Sequence, residues 1–225
     1  MTPSAFPVLA RLWRDDPGPI VDRDVALRNL SDRDPELGRI IARVGPLNLA
    51  PPAIRTPHHY LQRAIVYQQL SGRAAETIYG RFAGLYPGGR LPSPSRILAT
   101  QEAVLRSAGL SSAKARAIID LAKHTKSGTV PSRRVLARLD PEAVIERLTR
   151  VRGVGRWTVE MLLIFYLGHP DILPTSDLGI RKGFSRSFGV KRLASERTVA
   201  RRAERWRPWR SIACWYLWRS LDLEL

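Results

Sequence analysis

The stretch "VRGVGRWTVEM", Val151–Met161, sets glycine, valine and glycine between two segments of helical pattern, then arginine and tryptophan. Glycine permits backbone conformations closed to residues with a Cβ and lets another backbone approach closely. Two readings follow. One is a tight hairpin between packed helices. The other is a turn whose amides, with the N-terminus of the next helix, form an anion site. The surrounding chain tips the balance to the second. Its 225 residues hold 37 Lys plus Arg against 20 Asp plus Glu, a net charge of +17. Such a surface attracts polyanions in a salt-dependent way, with nucleic acid the leading partner.

At 44% hydrophobic and 25% charged residues, the composition is that of a globular chain. No apolar run reaches the roughly 18 residues a membrane span needs, so no membrane association is expected. Cys214 is the only cysteine, which excludes a disulfide framework and a Cys-ligated zinc or iron–sulfur cluster. Its apolar neighbours make it a small buried hydrophobe. The opening "MTPSAFPVLARLWRDD" lacks a secretory pattern, and a soluble, cytoplasmic protein is expected.

Nearly every segment has helical periodicity and none alternates with period two. Leu61, Ile65, Val66 and Leu70 recur at helical spacing from Tyr60, and Ala74, Ile78, Phe82 and Leu85 follow until "YPGG" stops them. Thr100 is read as the N-cap of "EAVLRSAG" and Gly109 as its stop. Ser111 or Ser112 caps "AKARAIIDLAKH", Asp140-Pro141 opens "EAVIERLTR", Ser195 caps "ERTVARRAERW", and Pro208 is placed at the start of the last helix. "RWTVEMLLIFYLG" is apolar enough for one core helix, and "LGIRKGFSRSFG" for a short one. An all-α protein of many short helices is predicted.

"VRGVGRWTVEMLL" followed by "DILPTSDLGIRKG" resembles the helix-hairpin-helix, Gly/Pro-rich loop and aspartate signature of the helix-hairpin-helix DNA glycosylase superfamily. "LQRAIVYQQLSGRAAETI" and "AERWRPWRSIACWYLW" are similar to segments of its 3-methyladenine branch, whose type II members are bacterial and inducible. The blocks run in the family's order from about Tyr60 to Ser220. Arg152 departs from the pattern, standing where the hairpin usually carries proline. The resemblance implies a two-lobed all-α fold with a DNA cleft between the lobes. Residues 1–55 would pack with the C-terminal helices, 56–170 would form the central lobe with the hairpin at 151–155, and 171–225 would carry the catalytic aspartate.

It also implies a monofunctional glycosylase that releases alkylated bases such as 3-methyladenine from double-stranded DNA in base-excision repair. A monomer at bacterial nucleoid DNA is implied. The catalytic aspartate falls on Asp177; as a helix N-cap it has an ordinary structural role too, although Thr175 and Ser176 could cap equally well. Related bifunctional enzymes attack the sugar with a lysine at the position of Trp157, and Arg156 beside it is always protonated, so no lyase is expected. Trp157 and Trp218 would line the base pocket, against plain packing on Leu162 or beside Cys214. Gln69, with Gln68 as alternate, would fill the gap left in the duplex, unless both lie on a solvated or neighbour-bonded helix face.

Gly153, Val154, Gly155 and Arg156 would grip phosphates through main-chain amides. Carbonyls of Thr149, Val151 and Val154 would hold a structural monovalent cation, and no other cofactor is implied. Met161 and Leu178 fall where some relatives place pocket aromatics. Two rival functions stay open: a non-catalytic hairpin protein that binds DNA structure, and a same-fold glycosylase for deaminated or etheno bases. Adjacent His58 and His59 are read as surface histidines, since neighbours on a helix point apart. "RRAERWRPWR" reads as a solvated face more than a nucleic-acid patch.

Overall fold

A computed structural model describes residues 22–49 and 53–223. Among these residues every regular element is helical, as the periodicity predicts. The chain divides into two compact units. One combines the N-terminal residues with those from Leu163 onward, and the other spans Ala53–Leu162. The expected boundary at residue 170 moves back to Leu162, within a run where a single core helix was anticipated. There α10 (Arg156–Met161) gives way to a π-helical segment, Leu162–Tyr166, so the helical register shifts as the chain leaves one unit for the other.

The first unit contains α1 (Arg23–Arg33), α2 (Pro35–Val44), α11 (Leu178–Ser187), α12 (Glu196–Ala203) and α13 (Arg210–Ser220). Its core joins Ala26, Leu30, Leu37 and Ile40 to Ile180, Phe184, Trp206, Cys214 and Tyr216. Residues 22–49 therefore pack with the C-terminal helices. Residues 1–21 and 50–52 of the N-terminal segment lie outside the described residues. Asp34 fastens the two stretches together. It caps α2, accepts two bonds from Arg202 (2.7 and 2.7 Å), and takes the Trp206 indole N–H at 2.9 Å, all at zero exposure. Burial alone would raise its pKa, and the donors from Arg202 and Trp206 override this and lower it. Pro208 does not start the last helix. Trp209 is its N-cap, while Asp171 holds Arg210 and the Pro170 carbonyl holds Ser211 N–H.

The second unit runs through α3 (Pro57–Tyr67), α4 (Gly72–Gly84), α5 (Pro94–Leu98), α6 (Glu102–Ser107), α7 (Ser112–Lys126), α8 (Arg133–Leu136), α9 (Pro141–Leu148) and α10. The fifteen-residue α7 is its spine, packing on α3, α5 and α6. Ser111 and Asp140 cap α7 and α9 as anticipated. Thr100 does not cap α6: its hydroxyl donates back to Arg96 O at 2.8 Å, ending α5, and Gln101 takes the cap position without a side-chain bond.

His58 is not a surface residue, and His59 is half-buried. His58 is 3% exposed and lies between Thr125 Oγ1 (2.9 Å) and the Gln62 amide (2.8 Å). That amide also donates to Pro92 O, so it faces His58 Nε2 as a donor and the imidazole is neutral. Burial, then the neighbouring His59, pushes its pKa down to about 4. α3 turns the Pro57 and His58 side of its first turn inward, which neighbouring positions in the chain do not reveal.

Candidate active site

Each unit carries its own set of candidate residues. In the first, Asp177 ends the proline-broken connection and is the N-cap of α11. Its Oδ1 accepts the Ile180 N–H at 2.8 Å and the Trp218 indole N–H at 2.9 Å. Thr175, the alternative cap, instead donates to Glu196 Oε2 at 3.1 Å. Asp177, not Thr175, thus caps the helix, and it stays partly open to solvent. A carboxylate fixed by two donors is aimed, and the helix N-terminus favours negative charge at that point.

Two glycines bring Trp218 to it. A Cβ on Gly183 would sit 2.2 Å from Leu217 O, and one on Gly179 would sit 2.9 Å from Trp218 Cδ1 and 3.0 Å from Asp177 Oδ1. Only bare glycines let α11 and α13 cross so closely. The indole lies half-buried, tilted against Phe165 with ring centroids 5.5 Å apart. Sequence reading named Asp177 and Trp218, which the structure brings together, and missed Gly179 and Gly183. Their signal was two small residues four apart, one helical turn, inside "DLGIRKG". Leu178, between the aspartate and Gly179, is 51% exposed.

In the second unit the hairpin Val151–Gly155 joins α9 to α10. Gly153 has φ +75° and needs glycine, whereas Gly155 has φ −92° in extended backbone with open space around it. The Val154 N–H is turned inward, donating to Val151 O at 3.0 Å, which removes it from the amides that could meet a phosphate. Arg152 N–H donates to Asp120 Oδ2 at 2.8 Å. α10 begins without a side-chain cap, so its first N–H groups lack the usual side-chain acceptor.

The Arg156 side chain points to carboxylates, not outward. It pairs with both oxygens of Glu142 and with the buried Glu160 at 3.1 Å. The hydrogen bonds to Glu142 come first among the causes that raise its pKa. What Arg156 can offer a phosphate is its main-chain amide. Trp157 is 46% exposed, far from the buried state that packing on Leu162 demands, while Met161 is buried.

The two glutamines do not share a helix face. Gln68 is the C-cap of α3, and its amide donates to Gly153 O at 2.8 Å. Gln69 is exposed with φ +54°, the only non-glycine residue with positive φ among the described residues. Lys114, which sequence reading passed over, donates to the carbonyls of Val66 and Gln68, both at 2.8 Å. Among the described residues no cluster of His, Cys, Asp and Glu could hold a metal, and no helix is long and apolar enough to cross a membrane.

Comparison with known proteins places these features in a family. Residues 62–208 match the HhH-GPD superfamily of base excision DNA repair proteins. DNA-3-methyladenine glycosylase 1 of Schizosaccharomyces pombe is 37% identical over 169 residues, 75% of this chain and 74% of that protein. DNA-3-methyladenine glycosylase 2 of Escherichia coli is 30% identical, over 78% of this chain and 63% of that one. The solved structure of the S. pombe 3-methyladenine DNA glycosylase in complex with abasic DNA superimposes with a TM-score of 0.79 at 36% identity, covering 88% of this chain and 97% of that one. This chain belongs to the HhH-GPD superfamily of base excision DNA repair proteins.

Proposed function

We infer that this chain is a DNA glycosylase of base-excision repair that hydrolyses the N-glycosidic bond of alkylated bases, 3-methyladenine among them. The observation that carries this reading is Asp177, a carboxylate fixed by Ile180 N–H and the Trp218 indole at the mouth of α11. As the base departs, positive charge grows on the deoxyribose, as in the oxocarbenium-like transition states of glycosidases. A fixed carboxylate stabilises that charge with no reorganisation at the moment of reaction. Water adds to the sugar carbon, the bond to nitrogen breaks, and its electron pair leaves with the base. The proton lost by water passes to Asp177 or to solvent. An alkylated purine already carries the positive charge that its departure neutralises, so one carboxylate suffices.

The damaged base has to leave the stack first, at an energy lowest for a damaged pair. Trp218, beside Asp177 in the first unit, supplies an electron-rich face for an electron-poor, cationic base, and Trp157, exposed on the second unit, is itself such a face. Each such stack contributes roughly 1–3 kcal/mol. Gln69 is the residue to fill the vacated space: it is exposed and held in a strained conformation of the kind that persists where surrounding contacts enforce it. Gln68, tied to Gly153 O, is not. The amides of Gly153, Gly155 and Arg156 grip the phosphates, supported by the uncapped start of α10.

The carbonyls of Thr149, Val151 and Val154 are neutral oxygens of the type that coordinates alkali cations. Thr149 fits as the C-cap of α9, and Val151 O keeps a lone pair beyond the one taken by Val154 N–H. A monovalent cation held there would place positive charge beside the phosphate amides. Water is the only co-reactant, so no redox cofactor or iron–sulfur cluster enters. Trp157 at the position of the lyase lysine makes the enzyme monofunctional. We take the working form to be a monomer acting on damaged duplex DNA in the bacterial cytoplasm.

Incubation with methylated duplex should release free base, and Asp177→Asn should slow release by at least about a hundredfold while leaving duplex affinity intact. Binding without release by the wild type would favour a DNA-structure-binding protein instead, and preference for deaminated or etheno bases in a substrate panel would move the lesion class. Borohydride trapping of a covalent enzyme–DNA adduct would overturn the monofunctional assignment.

A further inference from the structure

α3 ends at Tyr67 without the glycine that usually closes a helix in the left-handed conformation. Gln69 adopts that conformation instead, at φ +54°, against a steric penalty of roughly 1–2 kcal/mol for a residue with a Cβ. Something has to hold it there. The Lys114 ammonium reaches from the first turn of α7 to Val66 O at the end of α3 and Gln68 O in the turn, each at 2.8 Å. Gln68 then donates its side-chain amide to Gly153 O at 2.8 Å.

The same helix holds the hairpin from the other side. Asp120 accepts the Arg152 N–H at 2.8 Å, and a Cβ on Gly153 would lie 3.2 Å from Ala117 Cβ. Lys114, Ala117 and Asp120 recur at helical spacing on one face. That face bonds the Gln69 turn at one end and seats the hairpin at the other. Partial burial lowers the Lys114 pKa, the mark of an amine drawn out of water toward these acceptors.

We propose that Lys114 is a positioning residue that holds the Gln69 turn in register with the hairpin, so that the side chain entering the stack and the amides gripping the backbone are presented as one rigid piece. The proposal rests on the reading of Gln69 as the residue that fills the vacated space. It separates two events that a general loss of folding would merge. Opening a stacked duplex needs Gln69 in place; cleaving a base that is already unpaired does not.

The test compares Lys114→Met, Lys114→Arg and Gln69→Ala on a methylated purine in duplex and on the same lesion in an unpaired bubble. Lys114→Met keeps the stem and removes the donors. It should lower the ratio of duplex to bubble kcat/KM by about tenfold, the size expected for lost charge-assisted bonds. Arginine, which can serve both carbonyls, should restore most of that ratio. An unchanged ratio in Lys114→Met overturns the role of Lys114, and so does an equal loss on both substrates. An unchanged ratio in Gln69→Ala, read separately, overturns the filling role of Gln69. Should Lys114→Met melt below the assay temperature, Gln68→Leu breaks the same link at its hairpin end, and there too an unchanged ratio overturns the proposal.

Discussion

The two units position their functional groups by opposite means. In the second, the hairpin residues are neighbours in the chain, and one helix, α7, braces them through Asp120 and holds the adjoining Gln69 turn through Lys114. In the first, Asp177 and Trp218 stand 41 residues apart and meet only because α11 and α13 cross at two glycines. A local device tolerates single changes at its margins, whereas a crossing depends on the absence of atoms. The largest expected effect follows from that. Gly183→Ala forces a methyl group onto Leu217 O, a backbone atom 2.2 Å away that cannot turn aside, so the helices must separate, destabilising the unit by about 1–3 kcal/mol or more. Gly179→Ala instead meets side chains, Trp218 and Asp177, at 2.9 and 3.0 Å. It should leave the melting temperature nearly unchanged and lower kcat by about a hundredfold, since small misplacements of a catalytic group have effects of that order. A Gly179→Ala enzyme of wild-type kcat would break the link between the crossing and the carboxylate.

The same contrast explains what the sequence disclosed. The hairpin could be read because its glycines, the helices on either side and the Asp140 cap of the first of them lie within a short stretch of chain. Asp177 was found by motif, but its second bond, from Trp218, depends on a helix crossing that no local pattern encodes. Two of the wrong readings share a cause. Pro208 and His58 were assigned from neighbours in the chain, and each is governed by partners further away, Asp171 and Pro170 at the start of the last helix and Thr125 beside His58. Thr100 fails locally, its hydroxyl turning back to Arg96 O. Gln68, named by resemblance, has its amide committed to Gly153, 85 positions on. Lys114 was passed over because a lysine in the first turn of a basic helix looks like solvated surface until the carbonyls of Val66 and Gln68 are seen above it.

Acid sharpens the comparison. His58 in the second unit has a pKa pushed down to about 4 from 6.5. Its unfolded form therefore takes up a proton as pH falls below 6.5, while the folded form resists until about 4. Stability is thus lost on going down through that window. At pH 5 the loss from His58 is about 2 kcal/mol, and His59, also lowered by burial, adds in the same direction. In the first unit, Asp34 is a carboxylate with its pKa lowered below 3.8, so its contribution is fully present above that value and lost only in stronger acid. Hydrogen exchange at pH 7 and 5, corrected for intrinsic rates, should show protection falling in α3 and α7 while α2 and α11 hold. His58→Gln should flatten most of the difference. Equal weakening of both units would mean that His58 does not govern the acid response.

The smallest effect on folding, and the sharpest separation of fold from function, lies between the two hairpin glycines. Gly153 has φ +75°, with Ala117 Cβ only 3.2 Å from where its own Cβ would be. Alanine there should destabilise the second unit by roughly 1–2 kcal/mol. Gly155 has φ −92° and nothing within 4 Å, so the folded chain alone accepts alanine. Because alanine restricts the unfolded chain, Gly155→Ala should even raise stability by about 0.4–1 kcal/mol. Only a backbone arriving from outside has reason to require glycine at 155, since a methyl group would hold a phosphate away from the amides. Gly155→Ala should therefore melt at or above the wild-type temperature and bind undamaged duplex about tenfold more weakly, a difference of about 1.4 kcal/mol. The salt slope should fall as well, because fewer phosphates are engaged. A Gly155→Ala protein that binds duplex as tightly as wild type would place the phosphate contact elsewhere and reduce the hairpin to a joint between two helices.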